Sequence, residues 1–449
     1  MKKYVISAIS VVILGIIVFF VFIDKDVGLK ENGVLDQELL DTAEKTFQFF
    51  EDYTDPSTGL TMDRVDFETN EVKAEHTSPT NISMYLMGMV SAVELDLISK
   101  KEAEKKVETT LHTLEKMEKW NGLYYNWYYT KDGSLKKDWG QFISSVDNGW
   151  LTAGLIVTGQ YFEDLKGRTD PLVAAMDYSH LYDPKVGHLY GGYEVEKKSV
   201  TSHHYGLLYT EPRVASYLAI GKGDIPEEHW WKLYRAFPPE FDWQQQQPNG
   251  TMKTYDGIEL YQGYYEYEGI KYVPSWGGSM FEALMPSLVL KENELGTNAL
   301  GLNNKHHVEG QIRFAEKNEY RAWGFSPAGI RNNYGEFGVP VLGTEGYEDK
   351  ATVTPHATFL ALEHAPDEAL ANIQALKDLE AYGENYGFYD TVNLTSGEVA
   401  HSYLSLDQGM ILVSIANYLR DGVIREHFHQ DPIGEKPENL LENENFNIK

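Results

Sequence analysis

The sequence predicts an all-α fold, an (α/α)6 toroid with long loops, and three observations carry the prediction. A glycine followed by an apolar or aromatic cluster recurs at Gly59, Gly122, Gly187, Gly250, Gly324 and Gly387, at steps of 63, 65, 63, 74 and 63 residues. Between these glycines run segments with apolar residues at i, i+3, i+4 or i+7, the period of a helix with one buried face. Sustained strand alternation is scarce. Units of about 65 residues exceed the common solenoid repeats and suit two helices plus a long loop. Six of them would close two concentric rings of helices around a pocket fed by the loops.

The elements follow in chain order. Residues 5–23 carry no charge, and at about 1.5 Å per helical residue they match the ~30 Å hydrocarbon core of a bilayer. Lys2 and Lys3 precede the run, which places the start of the chain inside and everything after Asp24 outside. A cleaved signal peptide is the rival reading, but its apolar region is usually shorter and ends in small residues, whereas Val21, Phe22 and Ile23 lead into Asp24 and Lys25. The expected organisation is an uncleaved anchor over 1–23, a polar linker over 24–35, one domain over 36–433, and an acidic flexible tail over 434–449. Helices are expected over 35–53, 80–99, 101–119, 142–165, 205–220, 278–292, 296–318, 351–363, 366–380 and 403–421.

Composition narrows the function. The 449 residues hold 39 Lys and Arg against 68 Asp and Glu, a net charge of −29 that repels a phosphate backbone and excludes nucleic acid as a partner. With no cysteine there is no disulfide, thiolate metal site or thiol nucleophile. The histidine pairs 203/204 and 306/307, with His427 and His429, lack further ligands at fixed spacing, so no metal and no cofactor is expected. Aromatic residues make up 13% of the chain and cluster in loops at 120–129, 259–267 and 275–278. Sugar rings present apolar C–H faces that stack on Trp and Tyr, while their hydroxyls need Asp, Glu, Asn and Gln. The same loops supply both, which points to a polysaccharide or oligosaccharide partner.

The segment Pro274-Ser275-Trp276-Gly277-Gly278-Ser279-Met280-Phe281-Glu282-Ala283-Leu284-Met285-Pro286 resembles the SWSGSMFEYLMP signature of glycoamylase-like domains. That family holds bacterial endo-β-1,2-glucanases and the carboxy-terminal domain of cyclic β-1,2-glucan synthases. Collinear segments add to the resemblance: Ser144–Asp147 is similar to its STID/SSVD, Tyr209–Ser216 to SEARLAS, Phe337–Gly343 to FGVPGLG, Thr354–Ala357 to APYA, and Tyr403–Gly409 to YLAIDQG. The resemblance implies a glucoamylase-like (α/α)6 barrel that acts on glycosidic bonds through carboxylates.

The chemistry agrees, because a glycosidase needs one carboxyl to protonate the leaving oxygen and another to activate water or attack carbon. Glu211, Glu282 and Asp407 are the expected catalytic residues, with Glu282 in an apolar segment that should raise its pKa. Asp147, Asp390, Trp276, Tyr205, His204, Arg213, Trp323, His356 and Trp127 are expected to bind substrate. Taken singly, a carboxylate on a helix more often caps a turn or is solvated; its place in a family motif is what raises these candidates. The chain departs from the family at Trp323–Ala328, where many members carry a glutamate in a WGISES loop, and at Phe142, which stands where the family's ELSTID opens with glutamate. A membrane-anchored glycoside hydrolase facing out of the cytoplasm is the leading reading. A transglycosylase on the same fold and an inactive glycan-binding protein are its alternatives.

Overall fold

The computed structural model describes residues 33–449 apart from 69–70 and 331–332, so the expected anchor and most of the linker lie outside the described residues. Among the described residues no helix is long and apolar enough to cross a membrane. The main helices are α1 (Gly33–Tyr53), α2 (Pro79–Glu94), α3 (Lys100–Lys116), α4 (Ser145–Tyr161), α5 (Lys166–Ala175), α6 (Arg213–Lys222), α7 (Glu228–Lys232), α8 (Met280–Leu284), α9 (Leu300–Lys317), α10 (Pro355–Leu360), α11 (Pro366–Asp378), α12 (Ser405–Leu419) and α13 (Val423–His429).

They fall into two kinds, as their sequences dictate. In α3 the buried positions Ala103, Val107, Thr110, Leu111 and Leu114 form one stripe, with lysines and glutamates on the other faces, so the helix covers the core from outside. In α2, every residue from Pro79 to Ala92 is buried. Helices apolar all round belong in the interior, and α4 and α12 share that character. The interior helices pack in succession: α2 on α4, α4 on α6, α8 on α10, α10 on α12, and α12 back on α2. Arg213 at the start of α6 joins the remaining pair, donating to the carbonyls of Glu282 and Ala283 in α8 at 3.2 and 2.6 Å.

The chain is helix-rich rather than all-α. Short antiparallel strands occupy the loops, and three of them, β1 (Asn249–Tyr255), β2 (Ile258–Tyr267) and β3 (Ile270–Tyr272), form a meander. Its two-residue turns, Asp256-Gly257 and Glu268-Gly269, have positive φ throughout, the geometry that matches strand twist. Strands at Phe142–Ser144, His204–Tyr205, Thr352–Val353 and Ser402–Leu404 also take residues at the start of four expected helices, which begin later, at Ser145, Arg213, Pro355 and Ser405.

Five of the six recurrent glycines, at 59, 122, 187, 324 and 387, have φ between +67° and +109°. At Gly122 the reason is plain. With Asn121 at φ +49° it turns the chain between Lys119–Trp120 and Leu123–Tyr124, and a Cβ there would lie 1.7 Å from the carbonyl oxygen of Ala175 at the end of α5. Gly250 does not belong to the series: it lies within β1, and the inserted meander explains the irregular 74-residue step that follows it.

The tail corrects another expectation. Leu440, Leu441, Phe446 and Ile448 are buried, and Glu444 pairs with Arg235 where neither side chain reaches solvent. Trp230 Nε1 donates to the same carboxylate at 3.1 Å. Acidity suggested solvation, but the apolar residues interleaved with those acids have a core to enter.

Candidate active site

The carboxylates gather through one local device. Ser144 caps α4 and accepts from the backbone N–H of Asp147, and Ser279 caps α8 and accepts from that of Glu282. Ser78 does the same for Asn81 at the start of α2. Asp147 and Glu282 thus occupy the third position of an interior helix, as does Asp407 in α12. The motif reads as a capping box, and the acids also reach beyond their own caps. Asp147 accepts from Thr80 Oγ1 at 2.6 Å, and Glu282 accepts from Ser275 Oγ at 3.0 Å and Gly277 N at 2.8 Å. Glu211 immediately precedes the cap of α6.

The charges of these groups act on one another. Burial, then Asp147 and Glu282, push the Glu211 carboxyl well above its ordinary value. Its Oε2 is buried without a hydrogen-bond partner. Burial raises Asp147 and Glu282 as well, opposed in Asp147 by the hydroxyls of Ser144 and Thr80 and in Glu282 by Gly277, Ser275 and Ser279. Asp407 Oδ2 lies 3.1 Å from His356 Nδ1, a close contact rather than an aligned hydrogen bond. The other ring nitrogen of His356 is 3.0 Å from Ser326 Oγ. That Oγ accepts from Phe281 N and can donate its own proton to the ring, an arrangement in which the imidazole proton faces Asp407.

Asp63, which the sequence reading missed, completes the cluster. It accepts from Asn81 Nδ2 at 2.7 Å, and burial in the company of Asp407 and Asp147 raises its pKa to about 6 against the pull of Asn81 and Arg64. It follows Gly59 much as Asp390 follows Gly387, so the repeat held the signal. Tyr334 and Tyr347 were also missed. Both feel the charge of Glu211, and they line a recess of about 730 Å³ that Tyr334, 45% exposed, opens to solvent. They flank the Phe337–Gly343 motif but lie outside it, and their loop has no helical period.

The expected binding residues divide. Tyr205 faces Glu211 and Asp147. Trp276 lies in the turn that holds Glu282 and is 37% exposed. Trp127 packs edge-on against His76 and Trp139, and His76 Nε2 is 3.7 Å from Asp63. The others are placed differently. Arg213 is buried in a two-bond pairing with Glu292, where it joins helices and cannot reach a ligand. Trp323 is buried, its backbone bonded to Asn372. His204 lies on a strand next to Tyr205 and therefore points to the opposite face, toward Asp183 at 3.1 Å. His356 supports Asp407, and Asp390 is buried behind it, accepting from Ser402 Oγ and Leu404 N. Among the described residues no group of three or more His, Cys, Asp or Glu is arranged to hold a metal ion.

Comparison with known proteins gives the geometry a lineage. The Glycoamylase family model matches residues 203–432, just over half of the chain, and a model of a family of unknown function matches residues 41–221. The chain is 25% identical to the cyclic β-(1,2)-glucan synthase of Rhizobium meliloti over 94% of its own length and 19% of the synthase. It is 24% identical to the exo β-1,2-glucooligosaccharide sophorohydrolase of Parabacteroides distasonis over 85% of itself and 55% of that enzyme. It therefore spans about a fifth and about half of these two curated relatives. Among solved structures, the endo-β-1,2-glucanase of Chitinophaga pinensis shares the fold with a TM-score of 0.74 at 20% identity, over 90% of this chain and 98% of that one. The endo-β-1,2-glucanase of Talaromyces funiculosus does so with a TM-score of 0.72 at 12% identity, over 92% and 90%.

Proposed function

The chain belongs to the glycoamylase family, and from that premise we propose that it is a glycoside hydrolase acting on β-1,2-linked glucan by two-carboxylate chemistry on an (α/α)6 toroid. The observation that carries the reading is the meeting of Asp63, Asp147, Glu211, Glu282 and Asp407, from five separate stretches of chain, in one electrostatically coupled cluster. Carboxyls crowded in this way cannot all ionise, so some hold protons near neutral pH. Glu211 suits the general acid, since burial and the neighbouring Asp147 and Glu282 hold its proton. It gives its proton to the leaving glycosidic oxygen. Asp407, 3.1 Å from the His356 ring, is the base of this reading and takes the proton of the attacking water as that water bonds to the anomeric carbon. The toroid is supported by the packing order of the interior helices and by Gly387, which lies against Lys45 and Thr46 of α1, the last turn against the first helix.

Transglycosylation is the second reading, favoured by the similarity to the cyclic glucan synthase. The products of the full chain incubated with linear β-1,2-glucan separate the two: new reducing ends mean hydrolysis, and chains longer than the substrate mean transfer. No change in the glucan would end both readings. The apolar run at 5–23 supports a location on the outer face of the cell membrane, and protease added to intact cells should then remove the domain; a fully protected domain would refute it.

A further inference from the structure

Beyond the turn that holds Glu282, the protein surface carries a line of aromatic rings that no step of the chemistry uses. Trp276 is followed by Trp243 at 5.9 Å, Trp243 by Phe237 at 5.2 Å, and Phe237 by Tyr234 at 4.5 Å, with the last pair stacked. Trp243 is 44% exposed. Tyr234 and Phe237 then form one wall of a groove of about 1030 Å³, whose lining also includes Glu240, Thr251, Glu259 and Tyr261.

The exposure is built in. The loop that presents Trp243 begins with Pro238-Pro239, and Gln244 uses its side-chain amide to bond the carbonyls of Pro238 and Phe241 at 3.1 and 2.9 Å while accepting from Tyr265. Gln246 bonds Tyr272 and the carbonyl of Val341 at 2.9 and 3.2 Å. Polar side chains thus fix a loop whose indole faces water. Aromatic faces in series, edged by carboxylates and a hydroxyl, match a sugar chain, whose C–H faces stack and whose hydroxyls need acceptors and donors. The net charge of −29 argues against an acidic partner, and a neutral glucan meets no such repulsion.

We infer that the line from Trp276 through Trp243 and Phe237 to Tyr234 is a binding track, which carries the far portion of the same glucan chain from the carboxylates into the groove at Glu240 and Glu259. The inference rests on the reading of the carboxylates as a glycosidase centre. The track makes affinity depend on chain length, because short oligosaccharides end before Trp243.

The test titrates the full-length Glu211→Gln protein, whose substitution leaves the turn of Trp276 intact, with β-1,2-glucooligosaccharides of graded length, from the disaccharide upward. Affinity should climb with length and then level off. Adding Trp243→Ala should lower the ratio of long-chain to short-chain affinity by about tenfold, the scale of one lost stacking partner, and Trp243→Phe should restore most of it. Equal affinity at all lengths would overturn the track while leaving the function standing. So would an equal loss for long and short chains, or a change of oligomeric state on Trp243→Ala, which would mark the patch as a contact between copies. Absence of binding at every length, together with absence of cleavage by the unmodified chain, would remove the glycosidase reading and the track with it.

Discussion

The burial that would suit Glu211 to the proposed acid role also sets how stability varies with pH. Its pKa is raised in the folded state, so the folded protein holds that proton more tightly than the unfolded chain does. Stability is therefore lost as pH rises from the ordinary carboxylate value through the folded one, and regained on acidification. Asp63, raised to about 6, adds a loss of the same sign between about pH 4 and 6. Glu211→Gln keeps the shape and removes the ionisable group. Turnover should fall by about 10² to 10⁴, while the thermal midpoint at pH 7 should hold or rise and its pH dependence should flatten. Glu282→Gln should differ, because it weakens the bonds from Ser275 and Gly277 that hold the turn of Trp276. KM should then rise along with the loss of turnover. If both variants kept full activity, the acid and its neighbour would have to be sought elsewhere in the cluster.

The capping serines act at the scale of the element. Ser144 and Ser279 each fix the first turn of an interior helix, and that turn aims an acid at the cluster. Ser144→Ala should cost about 1 kcal/mol of stability in denaturant titration and should lower activity beyond that loss by releasing the aim of Asp147. A stability cost without the extra loss of activity would reduce the cap to a structural part. Gly122→Ala should be worse for stability than the removal of a cap. It adds a Cβ at φ +79° and 1.7 Å from a carbonyl oxygen, and a positive-φ turn and a backbone clash must both be resolved. The long helices were legible in the sequence because each carries a buried stripe or an apolar cylinder at the 3.6-residue period, whereas the short α5, with Pro171 inside it, α7 and α13 were not expected. The meander was not: β2 reads Ile258-Glu259-Leu260-Tyr261-Gln262-Gly263-Tyr264-Tyr265-Glu266-Tyr267, and tyrosine at both inward and outward positions blurs the two-residue alternation. Its Asp256-Gly257 turn was the signal that remained. Among the site residues, those inside motifs were found, and of these the ones aimed into the cluster, Asp147, Glu211, Glu282 and Asp407, differ from Arg213 and Trp323 in what packs against them, which sequence does not display.

At the scale of the molecule, the two ends of the chain are interlocked. The strand Arg64–Asp66 pairs with Ser402–Leu404, α12 packs on α1 and α2, and Arg420 donates to the carbonyl of Glu94 at 2.8 Å. The tail meanwhile reaches back to seal Arg235. The cluster spans the same division, with Asp63 and Asp147 from the first part and Glu211, Glu282 and Asp407 from the second. No partial chain can then bury the faces of α2, α4 and α12, which have no solvent-compatible side. The domain should unfold in one cooperative transition, with fluorescence and far-ultraviolet circular dichroism coinciding. A fragment of residues 203–432 should fail to fold, since it lacks α2 and α4 and leaves Arg235 buried without Glu444. The tail provides the sharper test. Ending the chain at residue 433 exposes the pocket of Leu440, Leu441 and Phe446 and leaves the Arg235 guanidinium unpaired in an apolar site, a loss of about 3 to 5 kcal/mol from the broken pair alone. Arg235→Met in the truncated chain removes the stranded charge, so it should recover part of that loss. If truncation left the midpoint unchanged, the last sixteen residues would be an appendage after all, and the closure of the molecule would have to rest on α1 and α12 alone.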